Sequence, residues 1–136
     1  MKLLLHLCLL VFLLPSCKKA IEKKKENIIV DAMTSGQWKV ASFVQDGVDK
    51  TADFTGYTFR YYENRTVDAL VGGSVQKTGT WAEDVNKLEI LASFQGAVDP
   101  LLLINGNWKI DKTDWTYVES TLVAGSVIRK MRLEKI

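Results

Sequence analysis

The sequence predicts an all-β protein: a small eight-stranded antiparallel up-and-down barrel with a short N-terminal helix. Three observations carry this. Apolar and polar residues alternate with period two through most of the chain after Gly36, which is the pattern of half-buried strands. Turn-forming residues recur at roughly 10–15 residue intervals, as in an antiparallel meander. The strands come to about eight, and an even number of short strands on one chain suggests closure, which removes exposed edges. No repeat of fixed period is visible, which argues against a propeller or solenoid.

The elements follow in order. Ile28, Ile29, Ala32 and Met33 recur at helical spacing, and Gly36 can end such a turn, so a helix is expected near 28–35. Trp38, Val40, Ser42 and Val44 then share one face of a strand over 37–45. Tyr57, Phe59 and Tyr61 share a face over 56–62, and Val67, Ala69 and Val71 over 66–71. Further strands are expected at 76–82, 87–94, 101–110, 114–122 and 127–135, with Leu88, Ile90, Ala92 and Phe94 alternating in the fifth. Asp46-Gly47, Glu63-Asn64, Gly72-Gly73, Asp99-Pro100 and Gly125 punctuate them. Asn105-Gly106 falls inside the sixth and can break it into a hairpin or bulge. In the last strand Arg129 shares parity with Val127, Met131 and Leu133 and should point inward, whereas Lys130 and Arg132 should face solvent.

The N-terminus reads differently. A short charged start (Met1-Lys2) leads into twelve residues from Leu3 to Leu14, apolar except for His6, then Pro15, Ser16 and Cys17. A spanning helix needs about 20 apolar residues; this segment is too short and reads as a secretory signal. Leu14-Pro15-Ser16-Cys17 resembles the lipobox of bacterial lipoproteins. That resemblance implies that residues 1–16 are a signal peptide and that Cys17 is acylated, anchoring the protein to a membrane. Five lysines against two glutamates give residues 18–27 a net charge of +3, while residues 28–136 carry 12 basic and 14 acidic side chains. The charge of the chain is therefore no sign of nucleic-acid binding. Residues 17–27 read as a lipidated basic tether, and 28–136 as the barrel domain. Lys18 is not the acidic residue that retains some lipoproteins at the inner membrane. The expected location is therefore the outer membrane, with the basic tether favouring its periplasmic face.

At Gly36-Gln37-Trp38 the sequence resembles the lipocalins and wider calycins, in which a Gly-x-Trp opens the first strand after an N-terminal helix. Gly79-Thr80-Trp81 and Trp108-Lys109-Ile110 resemble the small lipocalin-like lipoproteins of Bacteroidetes. The resemblance covers about residues 30–136. It implies that Trp38 closes one end of the barrel against an arginine of the last strand, here Arg129.

The chemistry available to the chain is narrow. Processing at Cys17 would remove His6, the one histidine, and Cys8. That leaves no base for a histidine triad and no set of ligands for a Cys/His zinc site. Gly72-Gly73-Ser74 lacks the nucleophile-elbow pattern. Asp46 to Asp49 and Asp111 to Asp114 do not match a calcium loop, and read as turns. The expectation is a non-enzyme without metal or cofactor. The aromatic side chains can fill the interior or line a cavity, since an eight-stranded barrel holds either side chains or one small ligand. Val40, Ser42, Tyr57, Phe59, Tyr61, Trp81 and Phe94 are the candidate lining of such a cavity. A monomer carrying a small apolar or amphipathic ligand is one expectation. A filled barrel serving as an accessory or interaction module of an envelope complex is the other.

Lipidation has a direct check. Palmitate should label the wild-type chain and Cys8→Ala, and the label should vanish in Cys17→Ala. Equal labelling of the two variants removes Cys17 as the acceptor.

Overall fold

A computed structural model describes residues 16–136. The expected signal segment and Cys8 lie outside the described residues. The chain folds as a helix α1 (Ser16–Thr34), followed by β1 (Trp38–Gln45), β2 (Val48–Asp49), a 3-10 turn η1 (Thr51–Phe54), β3 (Tyr57–Tyr61), β4 (Thr66–Val71), β5 (Ser74–Asp84), β6 (Glu89–Ser93), a 3-10 turn η2 (Leu101–Ile104), β7 (Gly106–Thr113), β8 (Tyr117–Ala124) and β9 (Val127–Lys135). Successive strands from β3 to β9 pair antiparallel, and β9 returns to β1. The two-residue β2 adds to the outer end of β1, so the closed barrel has eight strands, as the alternation and the strand count predict.

Closure is uneven. β1 and β9 are paired from Trp38↔Lys135 to Gln45↔Arg129, whereas β1 meets β3 only at Trp38↔Phe59. Beyond that point the two strands diverge. The η1 turn fills the split: Lys50 N–H donates to the Phe43 carbonyl at 2.8 Å, and Phe43 N–H donates to Thr51 Oγ1 at 2.9 Å. Phe54 follows them inward and packs 4.9 Å from the Phe43 ring.

Three expectations are corrected here. The helix begins at Ser16 and takes in the basic tether. Lys, Glu and Ala are good helix formers even without an apolar face. Lys23 and Glu26 pair at 3.5 Å, three residues apart, and Glu26 also reaches Arg65 of the β3–β4 turn at 3.5 Å. The segment Leu101–Ile104, expected to open the sixth strand, is the η2 turn, which buries Leu101, Leu103 and Ile104. The first strand does not keep one face throughout. The β1–β9 register shifts between Val40 and Ser42, a bulge that adds one residue and reverses the alternation. Trp38 and Val40 face in before it, and Phe43, rather than Ser42 or Val44, faces in after it.

The core is continuous and aromatic. Trp38, Trp81, Phe43, Phe59 and Phe94 are almost wholly buried. Phe59 lies 6.2 Å from Phe94, Phe43 lies 6.0 Å from Trp108, and Tyr61 meets Trp81 edge-on at 5.6 Å. Each buried indole N–H has a carbonyl acceptor: Trp38 on Met33 at 2.9 Å, Trp81 on Tyr62 at 3.0 Å and Trp108 on Ile104 at 2.6 Å. These bonds avoid the cost of a buried unpaired donor, about 1–3 kcal/mol each. Gly79 permits a close approach of backbone and ring. A Cβ there would stand 2.5 Å from the Ser93 carbonyl oxygen and 2.7 Å from the Phe94 ring.

The expected pair of Trp38 and Arg129 does not form. Arg129 does point inward, in line with its parity, but it sits at the opposite end of the β1–β9 ladder. There its guanidinium donates to Gln45 Oε1 at 3.1 Å and to the Leu103 carbonyl at 3.3 Å. The cation over Trp38 is Lys135, whose Nζ stands 4.8 Å from the ring centre and donates to the Ala32 carbonyl at 3.0 Å. The partner was misassigned because antiparallel pairing sets the first residue of β1 against the last of β9. Arg132 faces outward and pairs with Glu119 and Glu134 at 2.5 and 2.8 Å.

The register predicts the energetics. Trp38→Ala should cost about 3–5 kcal/mol by urea unfolding, through the cavity it leaves. A double-mutant cycle should couple Trp38 to Lys135, whereas Trp38 and Arg129, being far apart, should be additive. Additivity with Lys135 and coupling with Arg129 would reverse the closed end of the barrel.

Candidate functional site

The interior is the first place to look for a site, and it is full. Phe59, Tyr61, Trp81 and Phe94 are buried core residues, and Val40 and Tyr57 pack against that core from partly buried positions. Ser42 is not interior. After the bulge it faces outward into a shallow depression shared with Asp111, Thr121 and Arg132. Of the expected lining residues, only Tyr61 borders the internal void, along with Ala92, Trp108, Ser120 and Met131. The void measures about 20 Å³. One water needs about 10–15 Å³ by the same kind of measure, so the space admits a water and no organic ligand. Burial pushes the Tyr61 phenol well above its ordinary value, so the ring behaves as neutral core at any physiological pH.

Wider depressions of about 260–350 Å³ lie on the outer wall, one of them bordered by Val40 and Tyr57. The space lined almost wholly by apolar side chains and backed by the core residues Met33, Trp38, Ile90 and Val118 lies at the mouth of the barrel, at the end covered by α1. It is a half-open groove of about 170 Å³. Ile28, Ile29, Ala32 and Met33 of α1 form one side. The barrel supplies Trp38, Ile90, Ile110 and Val118, and the β7–β8 turn supplies Thr113, Asp114 and Trp115. The helix presents those four residues together because positions three and four apart share a face. The bond from Trp38 to the Met33 carbonyl and that from Lys135 to the Ala32 carbonyl fix the last turn of the helix above the barrel. They also satisfy carbonyls that have no partner within a helix. Gly36, at φ +80°, takes the chain from this helix end into β1.

Trp115 is the groove's exposed indole, with 58% of its surface accessible. It lies in the β7–β8 turn, since β8 begins at Tyr117 rather than at residue 114. The turn is held by Asp114, whose carboxylate accepts from Thr116 N–H at 2.6 Å, Thr116 Oγ1 at 2.7 Å and Tyr117 N–H at 3.1 Å. The Thr116 hydroxyl and then the backbone N–H groups hold this carboxyl below the ordinary value of 3.8. Sequence reasoning read Asp111 to Asp114 as turns. Its one signal toward the groove was the helical spacing of Ile28, Ile29, Ala32 and Met33.

Cys17, in the first turn of α1, is exposed and free. Among the described residues, no three His, Cys, Asp or Glu side chains gather to hold a metal ion, and no helix is long and apolar enough to cross a membrane.

A closed antiparallel eight-stranded barrel with a helix across one end fits a lipocalin-like fold. No protein-family model matches this sequence, and comparison with curated proteins finds no match. Among solved structures, the chain is similar to a DUF4847 family protein from Bacteroides vulgatus ATCC 8482. The two are 13% identical with a TM-score of 0.55, over 78% of this chain and 96% of that one. It is also similar to a lipocalin-like protein from Bacteroides uniformis ATCC 8492, at 11% identity and a TM-score of 0.47, over 76% of this chain and 98% of that one. At 13% identity the first likeness speaks to the fold alone.

The geometry of the turn has a pH signature. A depressed carboxyl contributes stability above its unfolded value of 3.8 and loses it as pH falls through the lower folded value. Asp114 should therefore titrate below 3.8 by carboxyl NMR. Asp114→Ala should loosen the turn and broaden the Trp115 indole resonance at neutral pH. An unchanged Trp115 resonance would separate the turn from the groove.

Proposed function

We propose that this protein is a lipid-anchored envelope barrel, attached through Cys17, that works as a binding module through the groove under α1. The observation that carries this is the groove's apolar lining around about 170 Å³ of free space, beside an interior void of only about 20 Å³. An engineered apolar cavity of about 150 Å³ takes up benzene, so the groove has room for one ring or a short stretch of alkyl chain. Its lining is apolar except for Thr113 and Asp114 at the rim. That pattern fits an amphipathic ligand whose polar end stays in water. The barrel itself is then a rigid support without a reaction of its own.

The anchor reading rests on Leu14-Pro15-Ser16-Cys17 and is supported by the exposure of Cys17 in the helix. The outer membrane, and its periplasmic face, follow from the basic residues after the cysteine. The runner-up keeps the same groove and places an apolar side chain of a protein partner in it, making the barrel an accessory subunit.

Trp115 provides the readout, because the other three tryptophans are buried. Titration with a medium-chain fatty acid below its micelle concentration should shift tryptophan emission to the blue and saturate at about one site per chain. The response should disappear in Trp115→Phe and weaken in Ile110→Asp. Saturable binding that survives both changes would place the ligand elsewhere. No binding of any apolar ligand would favour the accessory-subunit reading.

A further inference from the structure

The groove does not end at the helix. Ile28, which lines it, is 47% exposed, and Ile21 is 57% exposed. These two residues are seven apart on α1 and lie on one face, with Lys24 and Lys25 between them at helical spacing. Across the groove stands Trp115, also more than half exposed. An apolar strip thus runs from Ile21 through Ile28 to the indole, with lysines along its length. The amphipathic stems of Lys24 and Lys25 can lie along apolar surface while their ammonium groups reach outward.

Charge separates this side from the rest. Residues 18–27 carry a net +3, and residues 28–136 a net −2. An anionic plane would attract the helix and repel the domain behind it. Glu22, next to Ile21 on α1, and Asp31 and Asp114 are acidic groups near the strip; Glu26 is turned toward Lys23 and Arg65. Asp114 is turned into its own turn by three hydrogen bonds, and Asp31 is exposed near the far end of the helix. Tryptophan and lysine together suit the boundary between headgroups and acyl chains, where an amphipathic ring and a snorkelling cation are both satisfied.

From this juxtaposition we infer that the strip Ile21–Ile28–Trp115, with Lys24 and Lys25, is a face that lies on an anionic bilayer, and that the apolar group entering the groove comes from that bilayer. The inference rests on the groove being the working surface and names its occupant. A strip this narrow orients the barrel on a membrane and does not by itself hold it there. A soluble ligand and a partner protein are the alternatives that the experiment separates.

The test uses the full chain bound to vesicles through its own N-terminal segment. One set is phosphatidylcholine alone, and the other contains about 30% phosphatidylglycerol, each with and without brominated acyl chains. On the anionic vesicles, Trp115 emission should be quenched by brominated lipid and its iodide quenching should fall about threefold, reversing near 0.5 M salt. Both effects should be absent on pure phosphatidylcholine, in Lys24→Glu/Lys25→Glu and in Trp115→Phe. Equal iodide access on both vesicle types, with no bromine quenching, overturns the inference. If membrane contact fails while a soluble fatty acid still shifts Trp115 emission, the groove is a ligand site and the bilayer is not its source.

Discussion

Everything at the covered end of this molecule depends on Trp38. Its indole is fully buried, and its N–H is bonded to the carbonyl of Met33. In one residue it starts β1, pairs with Phe59 of β3 and with Lys135 of β9, and holds the end of α1. The β1–β3 seam is a single residue pair wide, so the barrel is closed there by one residue and by what packs around it. Lys135 completes the arrangement by covering the ring and bonding the neighbouring helix carbonyl, where a cation also suits the helix dipole. The groove exists because this latch sets the helix over the barrel rim and leaves a gap beside it.

The filling of the interior follows from the same economy of small strands. An eight-stranded barrel has little room to begin with, and here the split between β1 and β3 admits Phe54 while η2 sends in Leu101, Leu103 and Ile104. Those side chains come from turns rather than strands. They occupy the space that alternation alone would leave for a ligand. Arg129 then closes the other end by tying β9 to Gln45 and to the Leu103 carbonyl. A barrel of this class can be a container or a support, and the turns decide which.

Much of the fold was legible because a strand with one buried face must alternate. Tyr57, Phe59 and Tyr61 and the face of Met131 and Leu133 followed directly. What could not be seen were the places where alternation breaks. Ala41 and Ser42 are small enough to sit on either face, so nothing in the residues marks the bulge that turns Ser42 outward. Leu101 to Ile104 are as apolar as a buried strand, and only Pro100 and Asn105 hint at a turn. The parity of Arg129 was readable, but its partner depended on register. Antiparallel order alone pairs the start of β1 with the end of β9 and so with Lys135. The candidate site was less legible, since a groove between a helix and a hairpin turn joins residues some eighty positions apart, and no local pattern records that.

The helix gives the chain a property that a flexible leader would lack. Eleven flexible residues would let the domain wander about 18 Å, root mean square, from whatever is held at Cys17, in any direction. As a helix, the stretch from Cys17 to Ile28 spans about 16 Å along one fixed axis. The average distance is nearly the same, but the directional freedom is gone. Every group on the near face of the barrel is therefore presented at a high and constant effective concentration to whatever lies beside Cys17, and those on the far face at almost none.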